Sequence, residues 1–223
     1  MRRRRYFENE LQTTYHCRKI QKLMLKVGLT GSIAVGKSYV VEVFQELGAF
    51  VVDADVTARE VVAPETKGWR LIVERFGSNI LLPNNEIDRA ELGAIVFADA
   101  EKRQLLNSIV HPLVIESQDD WLTSIERENP ASIAMIDAAL MIESGGYRRF
   151  DKLIVVWCVA ETQIQRLMTR NDLTREAAMQ RIEAQMPQAE KKKFADLTID
   201  TSNGFEDTRR QTIEIYERLR VLT

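Results

Sequence analysis

The sequence predicts an α/β fold with a five-stranded, mostly parallel sheet flanked by helices. Five short apolar runs are nearly continuous, as expected of parallel strands that are buried on both faces. Helical periodicity separates several of these runs, and strands that alternate with helices form βαβ units. The runs fall within residues 25–30, 49–55, 131–143, 151–160 and 195–202.

The predicted connections differ greatly in length. One helix joins the first two strands, because apolar residues recur at helical spacing from Val40 to Leu47 and Gly48 stands where a C-terminal cap belongs. The stretch from residue 56 to 131 is longer than one crossover helix needs, and its periodicity predicts a helical insertion. After the fourth strand we expect two helices broken at Asn171–Asp172, with Thr174 as N-cap of the second.

These connections divide the chain into a sheet-bearing core, a helical substrate domain, a lid and an N-terminal extension. The basic extension is interpreted first as a disordered tail, or as an upstream start with Met24 as the true start. A basic arm that contacts anionic polymers and an organelle transit peptide are the alternatives. We expect the extension at 1–23, the core at 24–57, 125–162 and 195–223, the substrate domain at 58–124 and the lid at 163–194.

Composition and charge argue against several classes of function. The chain has 223 residues, 45% of them hydrophobic, which suits one α/β domain with insertions. A net charge of −2 gives no bias toward nucleic acid, and no apolar run approaches the roughly 20 residues of a membrane span. Cys17 and Cys158 match no metal spacing, and no secretory signal is evident. We therefore expect a cytoplasmic monomer or small homo-oligomer with a buried Cys158 thiol.

The strongest local signal is the loop "GLTGSIAVGKS" between the first strand and the first helix. Its residues Gly31, Gly36, Lys37 and Ser38 have the spacing GxxxxGKS. In such a loop, backbone N–H groups and the helix N-terminus bind phosphate, the lysine reaches the β- and γ-phosphates, and the serine hydroxyl can coordinate Mg²⁺. The alanine and valine before Gly36 are unusual, and we expect them to reshape the loop without abolishing phosphate binding.

Two carboxylates close the second predicted strand. Asp53 and Asp55 lie at the carboxyl edge of the sheet, where ligands of open α/β folds bind, and strand alternation places both on one face. A helix that begins near Asp55 would put Arg59 beside it. A carboxylate next to a guanidinium suits activation of a hydroxyl and capture of a phosphate. The alternative is an N-cap aspartate with a helical ion pair.

Further candidates follow along the chain. Asp137 closes the third strand, where we expect a partner of the loop lysine and of Mg²⁺, or else a turn residue, and Glu143 lines the same edge. Arg166 and Arg170 lie four apart in the predicted lid; they reach the transferring phosphoryl group or form a solvated basic face. His111 precedes a proline and contacts substrate or caps a helix at a kink.

Taken in order, these segments resemble the dephospho-coenzyme A kinase family. "GLTGSIAVGKS" is similar to the family's GLTGGIGSGKS, "VVDADVTAREVV" to its IDAD-x-x-AR-x-V, "IVHPLV" to its LxxIxHPxV and "IDAALMIESG" to its DxPLLFE. The lid segment and the last strand are similar as well, so the resemblance extends from residue 25 to about 210. It implies a P-loop kinase that transfers the γ-phosphoryl group of ATP, with Mg²⁺, to the ribose 3′-hydroxyl of dephospho-coenzyme A.

The resemblance also implies roles for individual residues. The expected catalytic residues are Lys37, Asp55 and Arg166. The expected ATP-binding residues are Gly31, Ser32, Ile33, Ala34, Val35, Gly36, Lys37, Ser38, Tyr39, Arg166 and Arg170. The expected acceptor-binding residues are Thr30, Asp55, Arg59, His111 and Glu143, and the expected Mg²⁺ ligands are Ser38 and Asp137.

The sequence departs from the family pattern in the loop and in the acceptor segment. Ser32, Ala34 and Val35 replace two glycines and a serine, Tyr39 replaces a threonine, and Ala139 replaces the proline of DxPLLFE. The alternatives are another P-loop kinase of small molecules or nucleotides, a nucleotide-dependent switch or ATPase, and a non-catalytic binder. No guanine-binding N-K-x-D motif is present, which argues against the switch.

Overall fold

The computed structural model describes residues 24–223, in which the predicted five-stranded sheet is confirmed. The strands are β1 (Leu25–Gly31), β2 (Phe50–Asp53), β3 (Ile133–Asp137), β4 (Lys152–Trp157) and β5 (Leu197–Asp200). Their order in the sheet is β2-β3-β1-β4-β5, and every neighbouring pair is parallel. All five carboxyl ends therefore meet at one edge. The interpretations of residues 1–23 lie outside the described residues.

Helices connect the strands and cover both faces of the sheet. They are α1 (Lys37–Glu46), α2 (Ala54–Glu60), α3 (Lys67–Phe76), α4 (Arg89–Ala98), α5 (Ala100–Glu128), α6 (Ala160–Asn171), α7 (Arg175–Glu183), α8 (Gln188–Lys192) and α9 (Gly204–Arg220). Short 3₁₀ helices occupy Ser78–Ile80 and Gly146–Arg149. Among residues 24–223, no helix combines the length and the apolar character that a membrane crossing requires.

Strand alternation divides the core into two hydrophobic clusters. Met135 and its neighbours on one face of the sheet pack against Phe44 of α1 and against α9. Ile136 and its neighbours on the other face pack against Leu122 of α5. The central strands are thus buried on both sides, which is why their sequences read as continuous apolar runs.

The helical insertion is confirmed, and it has a hydrophobic cluster of its own. Ile72, Ile80, Leu92 and Val96 are buried together among α3, α4 and the residues around them. Helix α5 then runs without interruption from this cluster back to the sheet, where Leu122 packs. The finer division into core, substrate domain and lid stays a prediction, and α5 crosses its expected boundary at 124.

The break in the predicted lid is also confirmed. Asp172 ends α6 in the left-handed conformation (φ 51°), and the Thr174 hydroxyl caps α7 by accepting a bond from Ala177 N (3.3 Å). We call α6 and α7 together the lid hairpin. Leu167 and Ala178 are buried inside it and pack against Ile33 in the loop after β1.

Candidate active site

The loop between β1 and α1, residues 31–38, follows the backbone path that its glycines predict. Gly36 has a φ of 85°, in the left-handed region that favours glycine. A Cβ at Gly31 would lie 2.7 Å from the carbonyl oxygen of Val156 and would clash with the sheet. Ala34 also has a left-handed φ, 59°, where the family pattern has glycine. An alanine in this conformation is strained by about 1–2 kcal/mol, so the loop keeps its shape at the expense of some stability of the folded protein.

The other two departures in the loop turn their side chains into the protein. Val35 is only 1% exposed and belongs to the main hydrophobic cluster of the sheet. Ser32 is buried as well, and its hydroxyl has no hydrogen-bond partner among the described residues. The replacements by valine and serine therefore change the packing beneath the loop.

Lys37 and Asp137 form an ion pair at the mouth of the loop. The Lys37 ammonium donates to Oδ1 of Asp137, at the end of the neighbouring strand β3. Burial raises the pKa of Asp137, the Lys37 ammonium opposes that shift, and the nearby charges of Asp53 and Asp55 add to it. One ammonium and three carboxylates therefore interact at this edge, and a Mg²⁺-binding role of Asp137 stays a prediction.

Asp53 and Asp55 have different roles from those that strand alternation suggests. Asp53 lies beside Asp137 in the sheet register and is the N-cap of α2, accepting a bond from Asp55 N (2.7 Å). The expectation that both lie on one strand face is wrong, because the chain enters a helix after Asp53. The N-cap alternative thus holds for Asp53. Asp55 is exposed in the first turn of α2, and within residues 24–223 it forms no ion pair with Arg59.

The structure brings Arg166 to the loop but leaves Arg170 in solvent. Arg166 donates to the hydroxyl of Thr201 (2.8 Å) and to its carbonyl (2.7 Å), while that hydroxyl donates to Val35 O in the loop (2.6 Å). Arg170 is exposed, and its one side-chain hydrogen bond within residues 24–223 is to Oδ1 of the adjacent Asn171 (3.0 Å). Arg170 thus matches the solvated alternative, and its contact with ATP stays a prediction. The sequence reasoning did not single out Thr201. It follows the last strand, and this position at the carboxyl edge of the sheet could have identified it as a candidate site residue.

A buried lysine, which the sequence reasoning missed, holds the segment after β3. Lys191 is fully buried; its ammonium donates to Ala139 O (2.8 Å) and pairs with Glu143 (2.9 Å). The hydroxyl of Thr30, at the end of β1, donates to the same carbonyl (3.2 Å). We call Thr30, Ala139, Glu143 and Lys191 the acceptor-loop cluster. Nothing in the run "KKK" distinguishes the one lysine that is buried.

His111 lies within α5 and does not cap a helix. The helix continues through Pro112, so the capping alternative is wrong. The His111 side chain is exposed, and α5 packs against α2, the helix that carries Asp55 and Arg59. Contact of His111 with a substrate stays a prediction.

A cleft of about 180 Å³ opens beside the loop, between α1, the lid hairpin and the start of α9. The rings of Tyr39 and Phe205 meet edge to face at its border, with centroids 4.8 Å apart. Phe205 is 72% exposed, so its ring is available to a ligand. The lining includes Gly36, Tyr39, Arg166, Thr201, Gly204 and Phe205. This cleft is a second feature that the strand patterns alone do not indicate.

The oxygen ligands at the loop fit Mg²⁺ bound together with a phosphate. Asp137 supplies a carboxylate beside the loop, and Ser38 is exposed in the first turn of α1. Within residues 24–223, no group of three or more His, Cys, Asp and Glu side chains could hold a metal ion alone. Mg²⁺ commonly takes one or two protein oxygens and completes its shell with water and substrate phosphates, so this donor set suits it.

Comparison with known proteins gives consistent results. The family model for dephospho-CoA kinase matches residues 25–207. A dephospho-CoA kinase of Bacillus licheniformis is 44% identical over 199 residues, which cover 87% of this chain and 96% of that protein.

Solved structures have the same fold. A Campylobacter jejuni dephospho-CoA kinase superposes with a TM-score of 0.61 at 27% identity, covering 88% of this chain and 97% of that one. The crystal structure of TT1252 from Thermus thermophilus gives 0.76 at 27% identity, covering 91% and 100%.

Proposed function

The chain belongs to the dephospho-CoA kinase family and is an ATP-dependent kinase of coenzyme A synthesis, and we propose that the edge described above carries out its phosphoryl transfer. The reaction moves the γ-phosphoryl group of ATP to the ribose 3′-hydroxyl of dephospho-coenzyme A. One observation carries the assignment of the site. The Lys37–Asp137 pair stands at a phosphate loop, within electrostatic reach of Asp55.

On the nucleotide side, the loop N–H groups and Lys37 hold the phosphates, and Arg166 reaches them from the lid hairpin. The adenine occupies the cleft beside Tyr39 and Phe205, where an aromatic face can cover the base. The volume of that cleft is below the roughly 300–1,000 Å³ of whole ligand pockets, which suits a base rather than an entire nucleotide. Ile33 contributes through the shape of the loop, because its N–H is bonded to Gln185.

On the acceptor side, Asp55 orients the 3′-hydroxyl and accepts its proton as the new P–O bond forms. Asp55 is exposed and near the loop, as a group that meets an incoming hydroxyl must be. Arg59 and His111, both exposed, bind phosphates of the acceptor. Thr30 and Glu143 act through the acceptor-loop cluster, which fixes the segment after β3.

Most of the rate acceleration comes from positioning and from charge stabilisation. Asp137 and Ser38 would hold Mg²⁺ when the nucleotide is bound, and the ion would supply positive charge against the β- and γ-phosphates. In the free protein, Lys37 supplies the positive charge next to Asp137. We further propose a cytoplasmic enzyme, monomeric or a small homo-oligomer. Cys158 is buried and forms no disulfide within residues 24–223, which is consistent with a reducing compartment.

The experiment is a coupled assay for ADP with Mg-ATP and dephospho-coenzyme A, together with mass detection of coenzyme A. Asp55→Asn should lower kcat about 10²- to 10⁴-fold, because general acid–base catalysis contributes that much. Asp120→Asn, the same change on the exposed face of α5, is the matched control and should leave kcat unchanged. Turnover with shikimate or a nucleoside, and none with dephospho-coenzyme A, would identify another P-loop kinase.

A further inference from the structure

The lid hairpin and the segment directly after it hold one residue of the phosphate loop by both of its backbone groups. Ile33 N donates to Oε1 of Gln185 (2.8 Å), and Nε2 of Gln163 donates to Ile33 O (2.8 Å). Gln163 lies in the first turn of α6, and Gln185 lies two residues beyond the end of α7. The two ends of the hairpin therefore meet on the same residue of the loop.

A third glutamine fixes the direction of these hydrogen bonds. Cys158 N, just beyond β4, donates to Oε1 of Gln188 (3.0 Å), and Nε2 of Gln188 donates to Oε1 of Gln163 (2.7 Å). A backbone N–H can only donate, so it determines which atom of Gln188 faces it, and Gln188 in turn orients Gln163. Gln163 is 1% exposed, so bulk solvent does not compete with these partners.

The same helix carries the arginine that reaches the loop. Gln163 and Arg166 are three residues apart on α6, so they lie on one face of the helix. Gln163 contacts the loop at Ile33, while Arg166 reaches Thr201, whose hydroxyl bonds the loop at Val35. An open groove of about 110 Å³ lies between α6 and α7 near Gln163.

From this arrangement we propose that Gln163 and Gln185 are positioning residues for the nucleotide phosphates. They transmit the position of the lid hairpin to the Ile33 peptide, and through it to the N–H groups that follow in the loop. When the lid hairpin is in its catalytic position, Arg166 reaches the nucleotide and the loop takes its phosphate-binding conformation at the same time. The proposal rests on the proposed function for the identity of the ligand, ATP, and for nothing else.

The test measures binding of a non-hydrolysable ATP analogue with Mg²⁺ by calorimetry, alongside steady-state kinetics. Gln163→Met and Gln185→Met remove the hydrogen bonds to Ile33 while keeping the length of the side chain. Each should weaken analogue binding about three- to tenfold, as expected for one neutral hydrogen bond. The KM for dephospho-coenzyme A should stay within twofold of the wild-type value.

Gln180→Met is the matched control, because Gln180 is an exposed glutamine on α7. It should bind the analogue as the wild-type protein does. Analogue affinities equal to that of the control in both Gln163→Met and Gln185→Met would overturn the proposal. A general loss of stability would instead change the KM for both substrates in parallel, and that result would also overturn it.

A second pair of variants keeps the test decisive if a methionine variant fails to fold. In Gln185→Glu the carboxylate can still accept the bond from Ile33 N, whereas in Gln163→Glu it cannot donate to Ile33 O. At a pH high enough to keep both carboxylates ionised, Gln163→Glu should bind the analogue at least threefold more weakly than Gln185→Glu. Equal affinities would contradict the proposed geometry.

The two proposals fail in different ways. Wild-type protein that binds the analogue but does not phosphorylate dephospho-coenzyme A would refute the proposed function. Binding of the analogue by the glutamine variants would still test their positioning role. Wild-type turnover with unaffected glutamine variants would refute only the positioning role. Absence of analogue binding by the wild-type protein would overturn both.

Discussion

The acceptor-loop cluster predicts an asymmetry between the two members of one ion pair. Lys191 is completely buried, whereas a quarter of the Glu143 side chain is exposed. Glu143→Gln therefore removes the negative charge and leaves the Lys191 ammonium in the interior with neutral acceptors, the amide oxygen at position 143 and the Ala139 carbonyl. Lys191→Met leaves a carboxylate that water can reach, and its methionine fills the space of the lysine stem.

The magnitudes follow from that difference in burial. Removing one partner of a buried ion pair costs about 3–5 kcal/mol when the other charge stays uncompensated, which is the situation in Glu143→Gln. In Lys191→Met, solvent compensates part of the loss, and the Ala139 carbonyl keeps the Thr30 hydroxyl. We expect about 2 kcal/mol there, in the range for unmade hydrogen bonds to a charged group.

Urea denaturation of the two variants and of Lys191→Met/Glu143→Leu measures these free energies. The double variant should be less destabilised than Glu143→Gln, since it buries no lone charge. Lys193→Met on the same segment changes an exposed pair with Glu190, and it should alter stability by less than about 0.5 kcal/mol. The reasoning is refuted if Glu143→Gln costs no more than Lys191→Met.

Three further predictions concern the phosphate loop. Lys37→Met removes the ammonium that opposes the raised pKa of Asp137. The Asp137 carboxyl then binds its proton still more tightly in the folded protein than in the unfolded chain, where it has the ordinary pKa of 3.8. Stability is then lost as the pH rises above that value, so the variant should be destabilised more at neutral pH than near pH 4, and Lys37→Met/Asp137→Asn should abolish the difference in urea titrations. Ser32→Ala removes a buried hydroxyl that has no partner among the described residues and should raise the free energy of unfolding by about 1 kcal/mol, or Tm by about 2–4 °C; a lower Tm would show that the hydroxyl is satisfied. Ala34→Val puts a β-branched residue at a φ of 59° and should lower stability by about 2 kcal/mol in the same titrations, whereas an unchanged midpoint would mean that the loop relaxes.

The sequence by itself determined the sheet and the place of the site. Buried parallel strands require continuous apolar runs, so the five strands could be located, and chain polarity then puts Asp53 and Asp137 at one edge with the loop. The break at Asp172 and the cap at Thr174 were equally predictable, since both depend on local backbone chemistry.

The tertiary structure alone decided which polar side chains meet across the chain. Lys191 is one of three consecutive lysines and Gln163 one of several glutamines, and their partners lie 52 and 130 residues away, at Ala139 and Ile33. Such contacts depend on how helices pack against one another, and this packing does not produce a periodic pattern of polar residues in the sequence. Arg166 and Arg170 share a helix and a side-chain type, yet only Arg166 faces the loop, because the rotation of α6 is set by the hydrophobic side chains between the hairpin and the loop.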